Sequence, residues 1–163
     1  MNSISRRSLL AIPTTCLVLL AAPASARAPN HAAILRTLFE NFHVVLPASQ
    51  SCGDTQSTSI TVGRYMERTL SFLAEEPTNG GRLQAACAQV PHDERLSEFY
   101  GEVLGRPAQR SLRRIPRGEG LHQCNVTFSY ASGENVWSRG IQFLLRENTG
   151  RAVEHTFRCL MTP

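Results

Sequence analysis

Apolar residues recur along this chain at two different spacings, and the change from one to the other divides it. Ile34, Leu35, Leu38, Phe39, Phe42, Val45 and Leu46 fall three and four positions apart, which lines them along one side of a helix. Asn30 stands where its side chain can accept from a free N–H of the first turn, and Pro47 stops the run. The small, polar residues 48–58 read as a loop. Val62, Tyr65, Met66, Thr69, Leu70 and Leu73 place a second helix over 61–75, ended by Pro77-Thr78-Asn79-Gly80-Gly81. A short helix is expected over 83–90, carrying Cys87 inward. Pro91 ends it, and Asp93 caps a further helix with Leu96, Phe99, Tyr100, Val103 and Leu104 on its core face and Gly105 at its close.

From His122 the period becomes two. Cys124, Val126, Phe128 and Tyr130 alternate with Asn125, Thr127 and Ser129. Ser132-Gly133-Glu134-Asn135 turns the chain, and the next strand sets Trp137, Ile141, Phe143 and Leu145 on one face. A second turn at Asn148-Thr149-Gly150, with Gly150 suited to a positive φ, leads to a last strand that aligns Val153, His155, Phe157, Cys159 and Met161. Three strands with one apolar face form an antiparallel meander whose face needs a cover. The helices before it supply that cover. The expected fold is therefore α+β, with N-terminal helices packed on a C-terminal three-stranded antiparallel meander.

The N-terminus changes where this domain works. Arg6 and Arg7 precede an almost wholly apolar run, Leu9–Ala22, and Pro23-Ala24-Ser25-Ala26 supplies the small residues of a cleavage site. That run is 14 residues long with Pro13 inside it, short of the roughly 20 residues a spanning helix requires. We therefore expect residues 1–26 to be a cleaved export signal peptide, residues 27–163 to be a single α+β domain, and no stable membrane anchor to remain. Ser5-Arg6-Arg7-Ser8-Leu9-Leu10 resembles the twin-arginine signal, while an ordinary secretion leader with adjacent arginines reads equally well. Cys16 lacks the small and apolar residues that precede a lipidated cysteine. The expected location is the periplasm of a bacterium or the medium outside it.

Charge then excludes one class of partner. All 17 basic residues are arginine, and without the two in the leader 15 stand against 13 acids. So small an excess does not suggest a nucleic-acid binder. Cys52, Cys87, Cys124 and Cys159 survive processing, spaced 35, 37 and 35 residues apart with no C-x-x-C pair, and in an exported chain they read as two disulfides. Within a three-strand meander Cys124 and Cys159 would sit at opposite ends, roughly 25 Å apart along strands of about 3.3 Å per residue. A disulfide needs Cα atoms within about 7 Å. Each sheet cysteine is therefore expected to bond to a cysteine of the helical region. Cys52–Cys159 with Cys87–Cys124, and Cys52–Cys124 with Cys87–Cys159, both satisfy this.

Candidate chemistry is sparse. No G-x-S-x-G, H-E-x-x-H, phosphate loop or haem motif occurs, so no catalytic residue, metal or cofactor is assigned. Glu75-Glu76 reads as a solvated helix end, and Asn125-Val126-Thr127 has glycosylation spacing but lies inside a strand. His122, Cys124, His155 and Cys159 offer zinc-type donors, but on strands a meander keeps apart. The most suggestive segment is 106–121, where Pro107, Pro116, Gly118 and Gly120 accompany Arg106, Arg110, Arg113, Arg114 and Arg117. It reads as a mobile connection with about one helical turn. Its guanidinium forks suit phosphate and carboxylate groups, against the plainer view of a charged loop that merely stays soluble. Two functions follow as expectations. The first is a non-catalytic exported binding protein, an inhibitor, chaperone-like or envelope accessory module acting on a protein or anionic envelope partner. The second is a small-ligand domain or envelope enzyme with a pocket between helices and sheet, near Tyr130, Trp137, Phe143 and His155.

Overall fold

A computed structural model describes residues 28–47, 59–75, 81–132 and 135–162, with the backbone alone for 72–75, 130–132, 135–136 and 161–162. The leader, Cys52 and Glu76 lie outside the described residues. The elements are α1 (His31–Glu40), β1 (Val45–Leu46), β2 (Ile60–Thr61), α2 (Val62–Glu75), β3 (Arg82–Val90), α3 (Glu94–Leu104), α4 (Arg106–Arg113), β4 (Leu121–Ser132), β5 (Asn135–Arg146) and β6 (Arg158–Thr162). Mixed helix and antiparallel sheet is the architecture. The main sheet has four strands in the order β3-β4-β5-β6, not three, and β1 pairs with β2 in a small ribbon.

The extra strand is the segment expected to be a short helix. Leu83-Gln84-Ala85-Ala86-Cys87-Ala88-Gln89-Val90 is rich in good helix formers, yet β3 pairs with β4 through nine successive residues, Arg82 opposite Ser129 to Val90 opposite Leu121. Long-range pairing overrides a propensity worth only tenths of a kcal/mol per residue. The register sets Cys87 directly opposite Cys124, with Cα atoms 4.1 Å apart, and the two are disulfide-bonded. This is one of the two pairings left open by the sequence, except that the bond ties strand to strand instead of helix to sheet. Cys159 is also disulfide-bonded, to a partner outside the described residues. Cys159 pairs with Ile141, which pairs with Val126, so it stands two strands across from the Cys124 end. The separation of 25 Å along the strands is therefore corrected to two residues, roughly 7 Å, with two strand spacings of roughly 10 Å across them.

Helix boundaries follow their caps. Asn30 Oδ1 accepts from the Ala33 N–H at 2.9 Å, Thr61 Oγ1 from Arg64 at 3.2 Å, and Asp93 Oδ1 from Leu96 at 3.0 Å. The first helix ends earlier than its apolar stripe. Asn41 donates its backbone N–H to Leu38 O at 3.1 Å and its side chain to Thr37 O at 2.7 Å, and the β-branched Val44 and Val45 continue as extended chain.

Both faces of the sheet are covered, where one was expected. On the front, Ile34 and Leu38 of α1 and Val62, Tyr65 and Met66 of α2 pack with Cys124, Val126, Phe128, Ile141, Phe143 and Leu145. Phe143 stacks on Phe157 with ring centroids 5.0 Å apart. On the back, Tyr100, Leu104, Ala108, Leu112 and Ile115 pack on Leu121, Leu144 and Val153. Leu121 and Leu144 alternate with front-face neighbours, which is how one strand serves two cores.

The last strand departs most from its pattern. Val153 donates to Leu144 O at 2.8 Å, but regular pairing resumes only at Arg158 opposite Gln142. The residues between form a bulge, with His155 at φ 61. Thr156, fully buried, repairs the ladder: its hydroxyl accepts from the Leu144 N–H at 3.1 Å and donates to Val153 O at 2.7 Å. Val153, His155 and Phe157 therefore do not share a face. Val153 enters the back core, Phe157 the front core, and His155 is exposed.

Candidate functional site

The arginine-rich segment is not a mobile connection. Gly105, at φ 87, closes α3 and opens α4 in one residue, and Pro107 sits in the first turn, where no N–H is missed. Ala108 and Leu112 are buried and hold α4 to the back core. Arg106, Arg110 and Arg113 follow at i, i+4 and i+7, and Arg114 at i+8. At about 100° per residue these four occupy roughly a third of the circumference, opposite the buried stripe. All four, and Arg117 beyond them, are exposed. Arg113 pairs with Glu94 of α3, which fixes one end of the stripe.

Beside the last turn of α4 lies a cleft of about 270 Å³, lined among others by Ser111, Arg114, Arg146, Arg151 and Glu154. Arg146 is held there from behind. Its Nε and Nη2 donate to the two carboxylate oxygens of Glu119 at 2.8 and 2.7 Å. The Glu119 side chain is 3% exposed, and this two-point pairing is what makes its burial tolerable. Hydrogen bonds from Arg146, with its charge acting the same way, lower the Glu119 pKa against the opposing effect of burial.

The residues proposed for a pocket between helices and sheet do not gather. Phe143 is fully buried in the front core. Trp137, six residues back along β5 and so roughly 20 Å away, is 40% exposed. His155 lies on the exposed bulge, and the side chain of Tyr130 is outside the described residues, its backbone pairing with Trp137. A different cavity, of about 340 Å³, opens between α1 and the ends of β4 and β5, with Thr37, His122, Leu145 and Glu147 among its walls. His122 is 3% exposed and its Nδ1 has no partner. His122 and Cys124 share a strand, but Cys124 is committed to its disulfide, and no cluster of metal donors occurs among the described residues.

Elsewhere on the back face, Arg158 donates to Gln142, which donates to Asn125 at 2.8 Å, and the Arg158 guanidinium lies 5.2 Å from the Phe99 ring. Phe99, expected in the core, is 41% exposed beneath that cation.

Sequence reading found the five arginines but missed Ser111, Glu119, Arg146 and Arg151. Glu119 lies 27 residues from Arg146, so spacing carries no signal of the pair. The one local hint was an acid set between Gly118 and Gly120. No family model, curated protein or solved structure matches the chain. No described helix is long and apolar enough to cross a membrane.

Proposed function

We propose that the protein is a small exported binding module of the periplasm or extracellular space, which takes an anionic partner on the outer face of α4. The observation that carries this reading is the arrangement of Arg106, Arg110, Arg113 and Arg114 as one exposed stripe on an element anchored by Ala108 and Leu112, with Arg117 exposed just beyond it. A merely solubilising loop requires no such order. A helix that presents guanidinium forks at fixed spacing has already lost the freedom that binding would otherwise remove. The partner is an envelope polyanion, an anionic lipid surface or an acidic protein face, attracted over about a Debye length and sensitive to salt. The test replaces Arg110, Arg113 and Arg114 by serine. Circular dichroism should be unchanged. Co-sedimentation with phosphatidylglycerol vesicles, or capture of the acidic partner, should weaken by about tenfold and lose its salt dependence. Undiminished binding by the folded variant would sink the proposal.

A second reading, a small-ligand domain, is favoured by the cavity at His122. An orphan imidazole nitrogen costs about 1–3 kcal/mol when nothing meets it, and a bound molecule with one polar head would meet it. Fragment titration followed on the His122 ring resonances tests this, and a silent ring across a polar fragment set removes it.

A further inference from the structure

Three guanidinium groups meet in one place although they come from three segments. Arg114 follows α4, Arg146 ends β5, and Arg151 follows the turn at Gly150, yet all three line the cleft beside Ser111. Like charges lining one cleft repel, more strongly near a protein surface than in water. The fold offsets one of the three. Glu119 engages Arg146 through Nε and Nη2, which fixes that guanidinium and leaves its Nη1 hydrogens for another acceptor. Arg114 and Arg151 make no ion pair among the described residues. Glu154, exposed at the rim, is the one carboxylate lining the cleft and opposes an incoming anion. The last carbonyls of α4 oppose it more weakly, and Arg110 and Arg113 in that turn offset them.

We propose that this cleft is a seat for a phosphate group, held by Arg114, Arg146 and Arg151 with the Ser111 hydroxyl. A phosphate group carries enough acceptor oxygens to meet three guanidinium forks and a hydroxyl at once, and up to two negative charges. A carboxylate has two oxygens and one charge. The inference rests on the reading of α4 as an anion-binding face and names the chemistry its partner presents.

The test is a titration of the full chain with inorganic phosphate in chloride buffer, followed on the arginine Nε–H resonances. Saturable shifts should appear at Arg114, Arg146 and Arg151. Arg151→Gln should weaken binding by about tenfold, and Arg36→Gln, on the solvent side of α1, should leave it within about twofold. Removing the opposing charge in Glu154→Gln should tighten it by about threefold, a gain that disturbed folding would not give. Shifts spread evenly over all exposed arginines, equal shifts with acetate, or no gain in Glu154→Gln would each overturn the seat. Phosphatidic acid vesicles, whose headgroup is a phosphate monoester, that compete for the same three resonances identify a lipid headgroup as the source. Saturation by free phosphate without such competition identifies a soluble phosphate. Salt-dependent capture of an anionic partner with no saturable phosphate response refutes the seat alone. Phosphate binding at the cleft with no partner or vesicle binding refutes the proposed function and leaves the seat standing.

Discussion

On the front of the sheet, α1 and α2 lay Ile34, Leu38, Tyr65 and Met66 against Val126, Ile141 and Phe143, with Thr37, Thr69 and His122 the buried polar residues among them. On the back, α3 and α4 meet the sheet through Tyr100, Leu104, Ala108 and Leu112, and through Phe99 beneath the Arg158 guanidinium, and α4 turns its arginines to solvent. The front core is the larger of the two. On α4 only Ala108 and Leu112 are buried, and its arginines take roughly a third of the circumference on the opposite side. Fold stability is therefore expected to concentrate on the front, and recognition on the back.

The sharpest way to break this contrast is to cut into each side. Phe143→Ala removes a fully buried ring stacked on Phe157, and a loss of about 3–5 kcal/mol in chemical denaturation is expected. An effect below 1 kcal/mol would mean the front core is not what holds the fold. Thr156→Val keeps the shape of a fully buried residue but leaves the Leu144 N–H and the Val153 carbonyl without their hydroxyl. It should cost about 1–3 kcal/mol. Hydrogen exchange at Leu144 should accelerate with it, and an unchanged exchange rate would show that the hydroxyl does not complete the ladder.

On the back, Tyr100 has its hydroxyl fully buried with no partner, and burial pushes its pKa up to about 12. Tyr100→Phe removes an unmet polar group at no loss of shape, so the expected change is a gain of up to about 1 kcal/mol. A loss would mean the hydroxyl has a partner in solution. The Glu119–Arg146 pair gives a dependence on pH. Because Arg146 lowers the Glu119 pKa below the ordinary 4.5, its stabilisation is fully present above that range and lost as pH falls through the depressed folded value. Glu119→Gln should flatten the acid limb of the stability profile, and an unaltered limb would contradict the assignment. Arg110, Arg113 and Arg114 are exposed, and replacing all three by serine should shift stability least, within about 0.5 kcal/mol.

Much of the layout was legible from local signals. Asn30 and Asp93 cap helices as their side chains implied, the second helix starts near 61 as its apolar spacing implied, and Gly150 takes the positive φ its turn required. Features decided by pairing at a distance were not legible. The alanines of 82–90 favour a helix, and only the partner strand around Cys124 makes them a strand. The bulge at His155 breaks a clean alternation because two cores compete for Val153 and Phe157, which no period-two pattern encodes. The arginines of 106–117 were visible as a cluster, but Pro107 and the glycines suggested a loose connection. Their spacing of four, three and one was the overlooked sign of a helix with a charged face. Arg146 and Arg151 gave no sign and Glu119 only its place between two glycines, since chain separation hides a site assembled from three segments.

The measurement that bears most directly on the account is the salt dependence of binding to an anionic surface, compared between the protein and the Arg110→Ser, Arg113→Ser, Arg114→Ser variant. Phosphatidylglycerol vesicles serve as the surface, and phosphatidylcholine vesicles as the uncharged control. The account predicts binding that falls steeply as salt rises, is absent on the control, and drops by about tenfold with its slope flattened in a variant whose unfolding midpoint has not moved. Equal binding and equal slope for the two proteins would contradict it.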